Sequence, residues 1–170
     1  KNVPRISRRG FLAGTTASVA AFSIVPSHVL GLNGATPPSE KLNIASIGVG
    51  GQGGSDLQQM TSENIVALCD VDSKQAARSY GTFPTAKRYQ DFRVMLDEVG
   101  KEIDAVTVGT PDHFHAVAAT RALKMGKHVF CEKPLAHSIY EVREIMKAAR
   151  EHKVTTQLGN QGHSFDSIRV

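Results

Sequence analysis

Between residues 42 and 158, short apolar runs alternate with stretches whose apolar residues recur every three or four positions. The runs Leu42–Ile47, Asn64–Cys69, Ala86–Tyr89, Asp104–Val108, His128–Cys131 and Val154–Leu158 predict six strands, the third the weakest. Ile139, Val142, Ile145, Met146 and Ala149 share one face at helical spacing. Ser138 and Glu141 supply that helix with an S-x-x-E capping box. Residues 114–125 predict a second helix, with Val117, Arg121 and Lys124 opposite Ala118, Ala122 and Met125, and Gly126 ends it. Asp91 caps a shorter helix carrying Phe92, Met95 and Leu96. Short apolar strands alternating with helices predict an α/β fold, a doubly wound parallel sheet covered on both faces.

The first forty residues follow another logic. Ser7-Arg8-Arg9-Gly10-Phe11-Leu12 reads as a twin-arginine export signal. A basic start precedes the apolar stretch Phe11–Val25, which is shorter than the ~18 residues of a membrane span and fits a signal's apolar region. Gly31–Ser39 reads as a linker, and Gly34-Ala35 is a weak cleavage site. The reading is therefore a signal and linker over 1–40, a folded body over 41–170, and an exported, periplasmic location. Composition changes this picture little: 41% hydrophobic and 21% charged residues are globular values. Of 20 Lys+Arg and 16 Asp+Glu, four basic residues and one acid fall in residues 1–40. The body is nearly balanced and lacks the basic excess that marks nucleic-acid binding.

Gly48-Val49-Gly50-Gly51-Gln52-Gly53 is a G-x-G-x-x-G directly after the first strand and before a helix. Gly48 suits the tight turn, Gly50 lets backbone approach a pyrophosphate, and Gly53 lets helix and strand pack closely. The N–H groups of Gly51 and Gln52, at the start of that helix, would face the phosphates. Asp70 lies 22 residues after Gly48, near the ~20 expected of an acid that binds the adenosine ribose. A carboxylate there favours NAD over NADP by repelling a 2′-phosphate. Asp72 competes for the role, and Lys74 or Arg78 would tolerate a phosphate.

In doubly wound sheets ligands lie beyond the carboxyl ends of the strands. Two later ends are rich in polar residues: Gly109-Thr110-Pro111-Asp112-His113-Phe114-His115 and Cys131-Glu132-Lys133-Pro134-Leu135. The glycine motif, Cys69-Asp70-Val71-Asp72, Thr110–His115 and Glu132-Lys133-Pro134-Leu135-Ala136, in this order, resemble the Gfo/Idh/MocA oxidoreductases over roughly residues 41–170. The resemblance implies a Rossmann domain with NAD as cofactor. It implies that Lys133 lies beside nicotinamide and substrate and orients or polarises the substrate hydroxyl. It places Glu132 near the nicotinamide ribose, Thr110, Pro111 and His115 along the cofactor cleft, and a cis bond at Lys133–Pro134. After the sixth strand it implies nicotinamide and substrate contacts, with Asn160 and Gln161 on the carboxamide and His163 on the sugar. It also implies a second α+β domain following Val170, through which homo-oligomers form. Independently of the family, a lysine enclosed in a partly apolar cleft loses hydration and exchanges protons more readily.

His113 and His115 form an H-x-H pair, but no zinc spacing follows and there is no C-x-x-C, so no metal is expected. Cys69 and Cys131 fall on strands three spacings apart in the order 3-2-1-4-5-6, about 14 Å at ~4.8 Å each. A disulfide needs Cα atoms within about 7 Å, so two free, buried thiols are expected. The leading function is an exported, NAD-dependent oxidoreductase acting on a small sugar or cyclitol, with retained and internally recycled cofactor. One alternative is an NAD-requiring, redox-neutral glycoside hydrolase of the same superfamily. Another is a non-enzymatic NAD-binding sensor or scaffold.

Overall fold

The computed structural model describes residues 36–164. The boundary between the chain's two compact units falls between Glu40 and Lys41. On the N-terminal side the described residues hold one 3-10 turn, Pro38–Glu40. Arg8-Arg9 and the apolar stretch Phe11–Val25 lie outside the described residues.

From Lys41 onward, strands and helices alternate. The strands are β1 (Asn43–Ile47), β2 (Asn64–Cys69), β3 (Lys87–Tyr89), β4 (Ala105–Val108), β5 (His128–Glu132) and β6 (Thr156–Gly159). The helices are α1 (Gly51–Gln58), α2 (Ala77–Thr82), α3 (Phe92–Val99), α4 (Asp112–Lys124) and α5 (Ile139–His152), and a 3-10 turn spans Gln161–Ser164. All strand pairs are parallel, in the order β3-β2-β1-β4-β5-β6. This is the doubly wound Rossmann arrangement. A register shift between Ile44 and Ala45 lets β2 run one residue longer than β1 across the pair.

The buried strand residues divide between two helical layers. Ala45, Ile47, Ala67, Val106 and Val129 point into the larger apolar cluster, with Met95 and Leu96 of α3, four alanines of α4 and Ile145 of α5. Val49, Leu68 and Ala86 pack on the other face with Leu57 of α1 and Ala76. The α4 alanines let helix and sheet approach closely. α3 buries Phe92, Met95, Leu96 and Val99, a clean i, i+3, i+4, i+7 stripe. Full burial of such side chains stabilises by about 1.5–3 kcal/mol each. Phe92 also meets Phe114 edge to face, with centroids 5.2 Å apart. Between β1 and β4, Thr107 Oγ1 donates to Ser46 Oγ at 2.6 Å, so the buried hydroxyls satisfy each other.

Two details differ from the sequence expectation. α2 has six residues, includes Gly81 and buries only Ser79, so it carries no amphipathic signal to read. On α5 the buried residues are Ile145 and Ala148, while Ile139 is 74% exposed and Met146 44%. The capping box is formed: Ser138 Oγ accepts from Glu141 N–H, and Glu141 Oε2 accepts from Ser138 N–H. It starts the helix at Ile139, so that residue sits in the first turn, beyond the layer that the sheet covers. Cys69 and Cys131 are both free and buried, on β2 and β5. Burial pushes each thiol up to about 12, and the charges of Asp70 and Glu132 add to this for Cys69 and Cys131 respectively.

Candidate functional site

Parallel strands deliver all their carboxyl ends to one edge of the sheet. Here that edge gathers Gly48 after β1, Asp70 after β2, Gly109 after β4, Glu132 ending β5 and Asn160 after β6. β1 and β4 are neighbours whose following helices lie on opposite faces, and the crevice opens where the two chains diverge.

Two glycine contacts build this crevice. Gly48 has φ +77°, and a Cβ there would lie 2.7 Å from Thr110 N. A Cβ on Gly53 would lie 2.0 Å from Gly48 O, so no larger residue lets α1 start so close to the strand ends. The N-cap of α1 is Gly50, which provides no side-chain cap. The first-turn N–H groups of Gly51, Gln52 and Gly53 have no partner within the helix, the condition under which a helix start can take an anion.

Asp70 holds the loop in place. Its Oδ2 accepts from Val49 N–H at 2.9 Å and Gly50 N–H at 3.1 Å, and its Oδ1 accepts from Asp72 N–H at 2.9 Å. The competing Asp72 caps the following turn, accepting from the N–H groups of Lys74 and Gln75. Both acids line a cavity of about 890 Å³ with Gly48, Gly50, Gly51, Gln52, Thr110 and Pro111. That volume lies within the range of small-molecule sites. Thr110 Oγ1 is buried without a hydrogen-bond partner among the described residues. At the far rim, the Arg93 guanidinium donates to Asp91 and holds its carboxyl down at about 2.

A second group lies at the ends of β5 and β6. Glu132 is 4% exposed. Its Oε2 accepts from Lys133 N–H at 2.9 Å, and its Oε1 accepts from Gln161 Nε2. The same Gln161 nitrogen donates to Asp56 Oδ1 at 3.3 Å, which also accepts from Gln52 Nε2 at 2.8 Å. The Lys133–Pro134 peptide is cis. Lys133 is exposed, as are Asn160 and His163, and none of the three lines the larger cavity. The expected enclosure of Lys133 is thus not made by the described residues.

His115 corrects the sequence reading. It does not line the cleft but is 1% exposed, with Nε2 2.6 Å from Thr110 O and Nδ1 2.6 Å from Pro134 O. As the fourth residue of α4 it points back under the strand ends, where the two carbonyls converge. It therefore ties the β4 loop to the β5 loop. His113 is the residue that faces the cavity. No cluster of three or more His, Cys, Asp or Glu with metal-binding geometry occurs among the described residues.

Sequence reasoning missed Gln75, Val71, Phe114 and Val117 as cavity-lining residues. Val71 is 84% exposed directly after Asp70, so an apolar residue follows the acid where solvent would favour a polar one. Asp56 was also missed. Its i, i+4 spacing from Gln52 along α1 was the readable signal.

The model of a family described as an oxidoreductase family with an NAD-binding Rossmann fold matches residues 42–160. The structure of myo-inositol 2-dehydrogenase from Lactobacillus plantarum is 30% identical, with a TM-score of 0.69 over 76% of this chain and 39% of that one. Scyllo-inositol dehydrogenase from Lactobacillus casei, solved with NAD(H) and scyllo-inositol bound, is 25% identical over the same shares, also at 0.69. A glycosyl hydrolase family 109 protein of Shewanella amazonensis is 29% identical over 85% of this chain and 37% of its own length. The chain thus spans less than two fifths of these relatives. The residues present fit a dinucleotide: a glycine turn whose backbone packs too closely for a Cβ at Gly48 or Gly53, a helix start at Gly51 open to the cavity, and a buried threonine hydroxyl without a partner among the described residues.

Proposed function

Starting from the fact that this chain belongs to the Gfo/Idh/MocA oxidoreductase family, we propose that it is the NAD-binding part of an enzyme acting on a sugar or cyclitol. The observation that carries the reading is the single cavity shared by the glycine cradle and Asp70. Gly51 and Gln52 N–H groups would hold the pyrophosphate, and Asp70 the adenosine ribose hydroxyls. Thr110 Oγ1 would donate to the cofactor, with Pro111 shaping the wall. Bound nicotinamide supplies a hydride acceptor. Lys133 Nζ takes the hydroxyl proton as the substrate's carbinol C–H bond breaks, and returns it in the reverse direction. Asn160 and Gln161 would orient the carboxamide, and His163 the sugar. Calorimetric titration of the chain with NAD tests this: saturable 1:1 binding, weaker for NADP, is expected. Absence of binding would refute it.

A second reading, a redox-neutral glycoside hydrolase, is favoured by the similarity to the family 109 protein. Assay of the whole protein separates the two, since net oxidation accumulates NADH and hydrolysis releases sugar without it. Arg8-Arg9 support export through the twin-arginine route with the cofactor already loaded. An exported enzyme meets little free nucleotide, so the cofactor would be regenerated within each cycle.

A further inference from the structure

The carboxylates of Asp56 and Glu132 come from different elements, α1 and β5, and meet at one donor. Gln161 Nε2 reaches both, which sets their oxygens within two hydrogen-bond lengths of each other. The other contacts are all to neutral groups: Gln52 Nε2 on Asp56 and Lys133 N–H on Glu132. Among the described residues neither carboxylate has an ion-pair partner. Asp56 Oδ2 is buried and accepts no hydrogen bond. Two anions so close, partly dehydrated and without a cation, repel, and one proton between them removes the repulsion.

We propose that Asp56 is a positioning residue that works as a neutral acid, holding a proton against the Glu132 carboxylate so that Gln161 can bridge α1 to the ends of β5 and β6. The proton is held between the two carboxyls, and Asp56 Oδ2, otherwise left without a partner, is the oxygen free to carry it. The Glu132 carboxyl lies within hydrogen-bond reach of Asp56. Burial first, and then the Glu132 charge, raise the Asp56 carboxyl, against the lowering effect of the Gln52 and Gln161 amides. The charged or titratable group facing Asp56 from another element is Glu132; Gln52 on its own helix and Gln161 on the 3-10 turn are neutral. The consequence is a fixed Glu132, and through its bond to Lys133 N–H a fixed backbone at Lys133. When pH rises past the raised Asp56 value, Asp56 loses that proton and its charge repels that of Glu132, which pushes α1 and the end of β5 apart although both carboxylates still accept from Gln161. The brace is therefore intact at lower pH and weakened at higher pH. Its importance for ligand binding rests on the NAD-binding reading above.

The test has two arms on the 170-residue chain. Side-chain carboxyl carbons are followed by NMR against pH without nucleotide. Asp56 is expected to titrate above the ordinary carboxylate range and to move back down in E132Q. An Asp56 that titrates with the exposed aspartates overturns the proposal. In the second arm, NAD affinity is measured against pH. Wild type is expected to weaken by up to about tenfold per pH unit once Asp56 ionises, as one-proton linkage requires. D56N, which keeps a donor toward Glu132 but cannot ionise, should lose that dependence. Equal pH profiles for wild type and D56N overturn the positioning role. If NAD binds at no pH, the functional reading fails and the positioning role with it, while the carboxyl titration still decides the shared proton.

Discussion

Replacing Asp70 with alanine removes two things at once, and the structure lets them be separated. One is the support of the glycine loop. Val49 is 1% exposed, and its N–H donates to Asp70 Oδ2 at 2.9 Å. Without the carboxylate that buried donor has no acceptor, at about 1–3 kcal/mol of folding free energy. Gly50 N–H is nearer solvent and water can replace its bond. The other is the proposed ribose contact. Hydrogen bonds to a charged acceptor contribute about 1.5–3 kcal/mol each, so loss of even one weakens NAD by tenfold or more. Loop damage should weaken NAD and NADP alike, because both carry the same pyrophosphate. Loss of the ribose acceptor should weaken NAD alone and relieve the repulsion of a 2′-phosphate. The assay is calorimetric titration with each nucleotide, alongside urea unfolding, for wild type, Asp70→Ala and Asp70→Asn. Asparagine keeps one oxygen for Val49 and Gly50 but turns its amide toward the Asp72 N–H, a donor facing a donor. Expected is a Kd for NAD raised at least tenfold in Asp70→Ala, with the ratio of NADP to NAD affinity increased. Equal losses for both nucleotides would show that Asp70 acts only through the loop. Unchanged unfolding would remove its supporting role.

Ser138→Ala should reduce stability by about 1 kcal/mol, read in urea unfolding, because α5 loses the oxygen that accepts from Glu141 N–H. Cys69 and Cys131, with thiols pushed up to about 12, should stay protonated and unreactive to thiol reagents at pH 8, and both should label in denaturant. Rapid labelling of the native chain would refute their burial. In the whole enzyme, Lys133→Ala should lower kcat by about 10²–10⁴-fold with little change in NAD affinity, and near-normal turnover would exclude Lys133 from proton transfer. The exported whole protein, purified without added nucleotide and denatured, should release close to one NAD(H) per chain, whereas an empty protein would refute retention of the cofactor.

The order of strands and helices was legible because the four central strands β2, β1, β4 and β5 are compact, mostly apolar runs with turn signals at their ends, and buried parallel strands need no alternation; the edge strands β3 and β6 are polar and exposed and gave a weaker signal. The glycine loop was legible because its demands are steric and local: only residues without a Cβ tolerate the contacts at Gly48 and Gly53. α2 was not, since six residues with one buried serine leave no periodic trace. The placement of His115 was not legible either. Its spacing puts it near the cleft, but whether the ring faces cavity or interior depends on where the β5 loop brings Pro134 O, nineteen residues away. The Asp56–Gln161–Glu132 meeting depends on residues up to 105 positions apart, and only the strand order brings them together.

The two halves of the site are held by different forces, and this bears on how the fold can serve several substrates. Around Gly48, Gly53 and Asp70 the positions are set by backbone: glycine contacts too close for any side chain, and N–H groups bonded to one carboxylate. Little can change there without moving β1, β4 and α1 together. At the ends of β5 and β6 the positions are set by side chains: Gln161 on Glu132 and Asp56, and Glu132 on Lys133 N–H. Gln161 lies outside the strands, in the 3-10 turn after β6, whereas Glu132 is buried at the end of β5. A cradle fixed by backbone suits the part of a cofactor that never reacts, and a side-chain lattice suits the end where substrate is met. On the proposed function, substitutions that redirect chemistry should therefore concentrate near Glu132, Lys133 and Gln161, while those that abolish nucleotide binding concentrate at the glycines.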